Sequence, residues 1–166
     1  MRTTVLFSAV LITLCLGISS CKKDNPTDSA FTGTLSNGTS FNLSSASVVF
    51  TRDTVNGLHM IQVLGFVKIL PGDTTVAAIL LNNTTATGTY QLESLQSNPS
   101  TTGIVTYAMG NDGYVSIATV APNTPGTFTI TAISKTNITS TYSTHMTDAA
   151  NKVLTMTGTF NGTFSH

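Results

Sequence analysis

From Phe31 onward the apolar side chains recur at every second residue, not at every third or fourth. In an extended strand successive side chains point to opposite faces, so this period sends one set to a core and the other to water. Thr127-Phe128-Thr129-Ile130-Thr131-Ala132 shows it plainly, with hydroxyls on one face and apolar groups on the other. Phe41 with Leu43, and Ala46 with Val48 and Phe50, repeat the pattern. A longer segment puts His59, Ile61, Val63, Gly65, Val67 and Ile69 on one face and Leu58, Met60, Leu64 and Phe66 on the other. That segment reads as a strand covered on both sides along part of its length. The stretch 76–81 is wholly apolar, and strand-like runs follow at 104–109, 114–120, 127–133, 138–146 and 153–160.

Turn chemistry separates these runs. Asn37-Gly38, Asn56-Gly57, Pro71-Gly72-Asp73, Gly110-Asn111-Asp112-Gly113, Pro125-Gly126 and Asn161-Gly162 supply the residues that tight hairpins need. No amphipathic helix of useful length interrupts them, and 93–102 is the longest polar connection. The expected fold is all-β, an antiparallel β-sandwich of about nine or ten strands. A flattened, lipocalin-like β-barrel is the alternative, because a barrel shows the same alternation.

The N-terminus has a different character. Met1-Arg2-Thr3-Thr4 carries one positive charge, and an apolar run follows over 5–18, broken by Ser8 and Thr13. The run suits a signal-peptide core and is shorter than the ~18 residues of a spanning helix. It ends at Ile18-Ser19-Ser20-Cys21, which resembles a bacterial lipoprotein signal of the loose type found in Bacteroidota. The resemblance implies cleavage before Cys21 and acylation of its thiol, with the protein held on the outer membrane. Several acyl chains hold a protein on a bilayer where one gives marginal binding. Cys15 leaves with the signal, so an acylated Cys21 leaves no thiol for a disulfide, a nucleophile or a metal site. The polar stretch Lys22-Lys23-Asp24-Asn25-Pro26-Thr27-Asp28-Ser29 reads as a tether. The expected organisation is a signal over 1–20, an acylated cysteine and tether over 21–30, and one all-β domain over 31–166.

Chemistry-bearing residues are scarce. Charged residues make up 8% of the chain, the formal net charge is zero and there is no Trp. Without a basic stripe, nucleic acid is not an expected partner. Of the three histidines, His59 lies on the long strand, His145 follows Ser143 on one strand face, and His166 ends the chain. None has metal-ligand spacing to another. Ser143 and His145 offer a nucleophile and a base, but a hydrolase also needs an orienting acid and an oxyanion hole. Glu93 is the single glutamate and the aspartates sit mostly in turns, which argues against paired-carboxylate chemistry. The Gly110-Asn111-Asp112-Gly113 loop has one carboxylate, too few for calcium. The Thr-x-Thr runs at 127/129/131 and 155/157/159 resemble ice-binding ladders, yet those need flat repeated sheets and ordinary sheets twist. No catalytic residue, metal or cofactor is assigned.

Short motifs along the chain resemble an uncharacterised family of Bacteroidota lipoproteins of unknown function. Phe31 to Phe41 around Asn37-Gly38, Gly88-Thr89-Tyr90-Gln91-Leu92, Gly126 to Thr131, Lys135-Thr136-Asn137 and Asn161-Gly162-Thr163-Phe164 carry the likeness. It implies an all-β domain and no functional residues. Asp28-Ser29-Ala30, Asp53-Thr54-Val55 and Asp73-Thr74-Thr75 each resemble the O-glycosylation sequon of that phylum, which marks Ser29, Thr54 and Thr74 as candidate acceptors. The reading is a non-enzymatic, lipid-anchored β domain with a binding or envelope-structural role. The alternatives are a barrel-like carrier of a small apolar ligand, which needs a cavity of ~300 Å³ or more, and a glycan-binding surface protein. The latter would stack sugars on Tyr90, Tyr107, Tyr114 and Tyr142. An envelope protein is a further candidate partner.

Overall fold

The structure, a computed structural model, describes residues 29–44, 47–55, 58–70, 73–82, 84–93, 103–109, 112–119 and 123–165. Cys21, most of the tether and the Asn56-Gly57 and Pro71-Gly72 turns lie outside them. The strands are β1 (Ala30–Leu35), β2 (Ser40–Ser44), β3 (Val48–Val55), β4 (Leu58–Leu70), β5 (Asp73–Asn82) and β6 (Gly88–Gln91). They continue with β7 (Gly103–Met109), β8 (Asp112–Val115), β9 (Gly126–Ile133), β10 (Asn137–Thr147) and β11 (Val153–Thr163). The expected strand at 114–120 stops at Val115, where a single 3-10 turn, Ser116–Ala118, takes over.

Local chemistry fixes several of these boundaries. At the β1–β2 hairpin the Asn37 side chain accepts the Thr39 N–H at 3.0 Å, and Gly38 takes φ +89°. Only a residue without a Cβ adopts that angle at no steric cost. The β10–β11 connection was not marked by a Gly or Pro. There Asp148 Oδ1 accepts the N–H groups of Ala150 at 2.9 Å and Lys152 at 2.8 Å, while Asn151 takes φ 62°. Asn and Asp are the residues that tolerate and organise such turns. The expected Asn161-Gly162 turn is instead inside β11. Gly162 is needed there for space, since the Phe50 ring occupies the position a Cβ would take.

The strands form one continuous antiparallel path in the order β2-β1-β11-β10-β8-β7-β5-β4-β3, with β9 on the free edge of β10 and β6 on β9. This is a nearly closed nine-strand barrel with one unsealed seam, and the expected two-sheet sandwich is wrong. The reason lies in β10. One edge pairs with β11 along the whole strand, and the other is divided between β9, over Ile138–Thr144, and β8, at Thr147 opposite Val115. That last pairing joins the two would-be sheets into one. Alternation could not reveal it, because inward and outward positions are the same in both architectures.

An odd number of strands has a geometric consequence. Directions alternate along the path, so its end strands, β2 and β3, run the same way and cannot close with the antiparallel ladder used elsewhere. The C-terminus bridges part of the gap. Ser165 makes an isolated parallel bridge to Thr51, and its N–H and hydroxyl both donate to the Phe50 carbonyl, at 2.8 and 2.9 Å.

Candidate functional site

Inward-facing rings from six strands meet in the barrel. Phe31 packs edge-on against Phe41 at 5.3 Å and Phe160 at 6.5 Å between ring centres. Phe41 stacks on Tyr107 at 6.4 Å, and Phe160 touches Phe50 at 6.3 Å. Offset and edge-on contacts are the arrangements that the ring quadrupole favours. Glycine on β4 lets the opposite walls approach: a Cβ on Gly65 would overlap Leu43 and Phe31. Tyr142 points into the same cluster and donates its hydroxyl to the Thr32 carbonyl at 2.7 Å. Burial pushes its ionisation well above the ordinary phenol range.

The seam is the most distinctive feature of the wall. Arg52 continues the inward series Val48, Phe50 of β3, so a charge stands where the alternation calls for an apolar group. Its guanidinium lies 5.6 Å from the centre of the buried Phe164 ring, and Nη1 donates to the Ser134 carbonyl at 2.9 Å. With the Ser165 bridge, this ties the C-terminus and the β9–β10 turn to β3. Beside that contact lies a shallow surface depression of about 240 Å³, lined by Ala132, Ile133, Ser134, Asn137, Ile138 and Thr139. It is smaller than an ordinary ligand cavity of ~300 Å³. Sequence reasoning did not single out Arg52, although a cation in phase with two core residues is a readable signal.

Ser143 is exposed and His145 half-buried on β10. His145 Nδ1 donates to the Thr124 carbonyl at 2.9 Å, which fixes the ring to the backbone of the preceding loop. His59 lies at the exposed end of β4, with Nδ1 3.1 Å from the Thr54 hydroxyl. Glu93 is buried, and its N–H donates to the Gly103 carbonyl at 2.9 Å. Among the described residues no group of three or more His, Cys, Asp or Glu is placed to hold a metal ion. Two buried hydroxyls serve the backbone: Ser116 Oγ accepts the Val105 N–H at 3.0 Å, and Thr144 Oγ1 donates to the Pro125 carbonyl at 2.9 Å.

The sequons divide. Thr54 is exposed near the end of β3, and Asp53 accepts its N–H at 2.7 Å. Ser29 is only 3% exposed, and its hydroxyl accepts the Thr163 N–H at 3.4 Å. Thr74 lies on β5, with its side chain outside the described residues. The tyrosines do not gather on a surface. Tyr107, Tyr114 and Tyr142 are buried, and Tyr90 stacks on Phe128 at 5.1 Å and donates to the Ala86 carbonyl at 2.8 Å.

What the outer wall does present, on one side, is hydroxyls. Registers align Asn42, Thr32, Thr159, Thr141, Thr129 and Thr89 in one row across β2, β1, β11, β10, β9 and β6. Thr32 and Thr159 share a hydrogen bond at 2.9 Å, as do Thr89 and Thr129. Comparison of the chain with protein-family models, curated proteins and solved structures finds no match. The barrel and its surfaces therefore carry the functional reading.

Proposed function

We propose that the chain is a non-enzymatic barrel domain, lipid-anchored to the outer membrane through Cys21, that binds a small apolar ligand. The observation that carries this is the single unsealed seam in an otherwise continuous wall around an apolar interior. A closed wall isolates the interior from water, and the seam is the place where it opens with least loss of backbone pairing. Because rings fill the middle of the barrel, entry requires them to shift, so the ligand is small and binding accompanies local opening at the C-terminal tie. The loose lipobox and tether support the anchor, and the scarcity of acid–base residues supports a non-enzymatic role.

Titration of the purified protein with a fluorescent fatty acid tests it. Saturable one-to-one binding, displaced by unlabelled fatty acid, is expected. Absence of saturable binding to folded protein would contradict it. The second reading, an envelope-structural role with a permanently filled interior, is favoured by the ring packing and predicts that absence. A reproducible hydrolase activity lost in Ser143→Ala or His145→Ala would contradict both.

A further inference from the structure

Arg52 is the one arginine downstream of Cys21. It stands in phase with the buried Val48 and Phe50, half withdrawn from water at the seam. A guanidinium carries five N–H donors in a fixed fork and keeps its charge throughout the ordinary pH range. Among the described residues it meets one hydrogen-bond acceptor, the neutral Ser134 carbonyl at 2.9 Å, and the Phe164 ring at 5.6 Å. No described carboxylate pairs with it. Asp53 is next in the chain, but alternation sends it to the other face of β3. There it is exposed, and its Oδ1 accepts the Thr54 N–H at 2.7 Å. A cation partly out of water and without a counter-charge is costly by itself. It also attracts an anion more strongly than a fully solvated cation does.

We infer that Arg52 holds the carboxylate of the barrel's ligand, which is then an alkyl chain with one acid head rather than a neutral apolar molecule. The inference rests on the reading above that the barrel takes an apolar ligand at the seam. The planar fork of the guanidinium fits the two oxygens of a carboxylate through parallel N–H···O bonds. One fork with one charge matches a monoanion, whereas a phosphate monoester brings about two charges. Position supports the same choice. Arg52 lies on the inward series of β3 but beside the seam, so a head held there leaves the chain directed at the apolar interior. The depression next to the Ser134 contact supplies apolar wall for the first part of that chain. Ile138 there belongs to the core, and Ile133 packs against it. A mostly apolar site with one placed polar group is how such ligands are oriented.

Calorimetric titration of the purified protein with decanoate, decanol and decyl phosphate separates the head from the chain. Decanoate is expected to bind at least about tenfold more tightly than either of the others, the usual worth of a charged hydrogen-bonded pair. Arg52→Met keeps bulk against the Phe164 ring and removes the charge, so it should bind decanoate and decanol alike. Arg52→Lys keeps the charge without the fork and should show a smaller preference. Should the Met variant fail to fold, nuclear magnetic resonance on the unsubstituted protein carries the test. With one arginine downstream of Cys21, its Nε–H signal is unambiguous. That signal should move on addition of decanoate and stay in place with decanol. If decanol binds as tightly as decanoate, or decyl phosphate binds more tightly, the inference is overturned and the apolar-ligand reading stands. If Arg52→Met keeps the preference, or the Nε–H signal is still while decanoate saturates, the head is held elsewhere and the inference is overturned. If none of the three binds, the apolar-ligand reading fails and the inference with it.

Discussion

Gly162 and Tyr142 show how single residues set the inside of the barrel. The Phe50 ring fills the space beside Gly162, and the backbone on either side belongs to a paired strand that cannot move away. Gly162→Ala should therefore destabilise by about 1–3 kcal/mol, the usual cost of overpacking a core. Urea unfolding followed by circular dichroism checks it, and an unchanged midpoint would show that the ring has room to yield. Tyr142→Phe leaves the Thr32 carbonyl without its buried donor, at a cost of about 1–3 kcal/mol. The same pair of proteins gives a pH test. Burial raises the Tyr142 ionisation in the folded state above its ordinary 10.0. Below that value both states keep the proton and the difference between the two proteins is constant. As pH rises past it, the unfolded chain alone ionises, so the wild type loses stability relative to Tyr142→Phe. A stability gap between the two that does not change across that range would contradict the buried placement.

At the scale of the element, the C-terminal tie and β10 decide the architecture. Arg52 meets the Phe164 ring and the Ser134 carbonyl, and Ser165 meets Phe50. Arg52→Ala removes a cation–π contact and a charged hydrogen bond, together about 1–3 kcal/mol. Hydrogen exchange should rise at Ser165, whose N–H donates to β3, more than at the centre of β10. Uniform acceleration would mean that the tie is not a local unit. Most strands, the two-sided character of β4 and the Asn37-Gly38 hairpin were legible in the sequence, because period and turn chemistry are local. Asn161-Gly162 misled for an instructive reason: the dipeptide that makes a hairpin also makes room for a ring, and only the opposite wall distinguishes the two. The sandwich expectation failed at Thr147 opposite Val115, a pairing between residues far apart in the chain that leaves no mark on either strand. Arg52 was partly readable, since it follows from phase once the inward positions are known.

The whole molecule is a barrel with a hydroxyl-covered side and a seam held at one end. Its hydroxyl rows cross a curving wall in which neighbouring strands twist by roughly 20–25°, so they do not make the flat lattice of an ice-binding surface. Thermal hysteresis should be absent at any protein concentration. The account depends most on the ends of the strand path meeting, since an open sandwich would have no seam, no interior isolated from water and no single outer wall. Nuclear Overhauser spectroscopy on isotope-labelled protein reads that meeting directly. Cross-strand contacts between Thr51 and Ser165, together with Gly65 against Phe31 and Leu43, are the predicted result. Contacts from Thr51 only to β4, with Ser165 remote from β3, would contradict it.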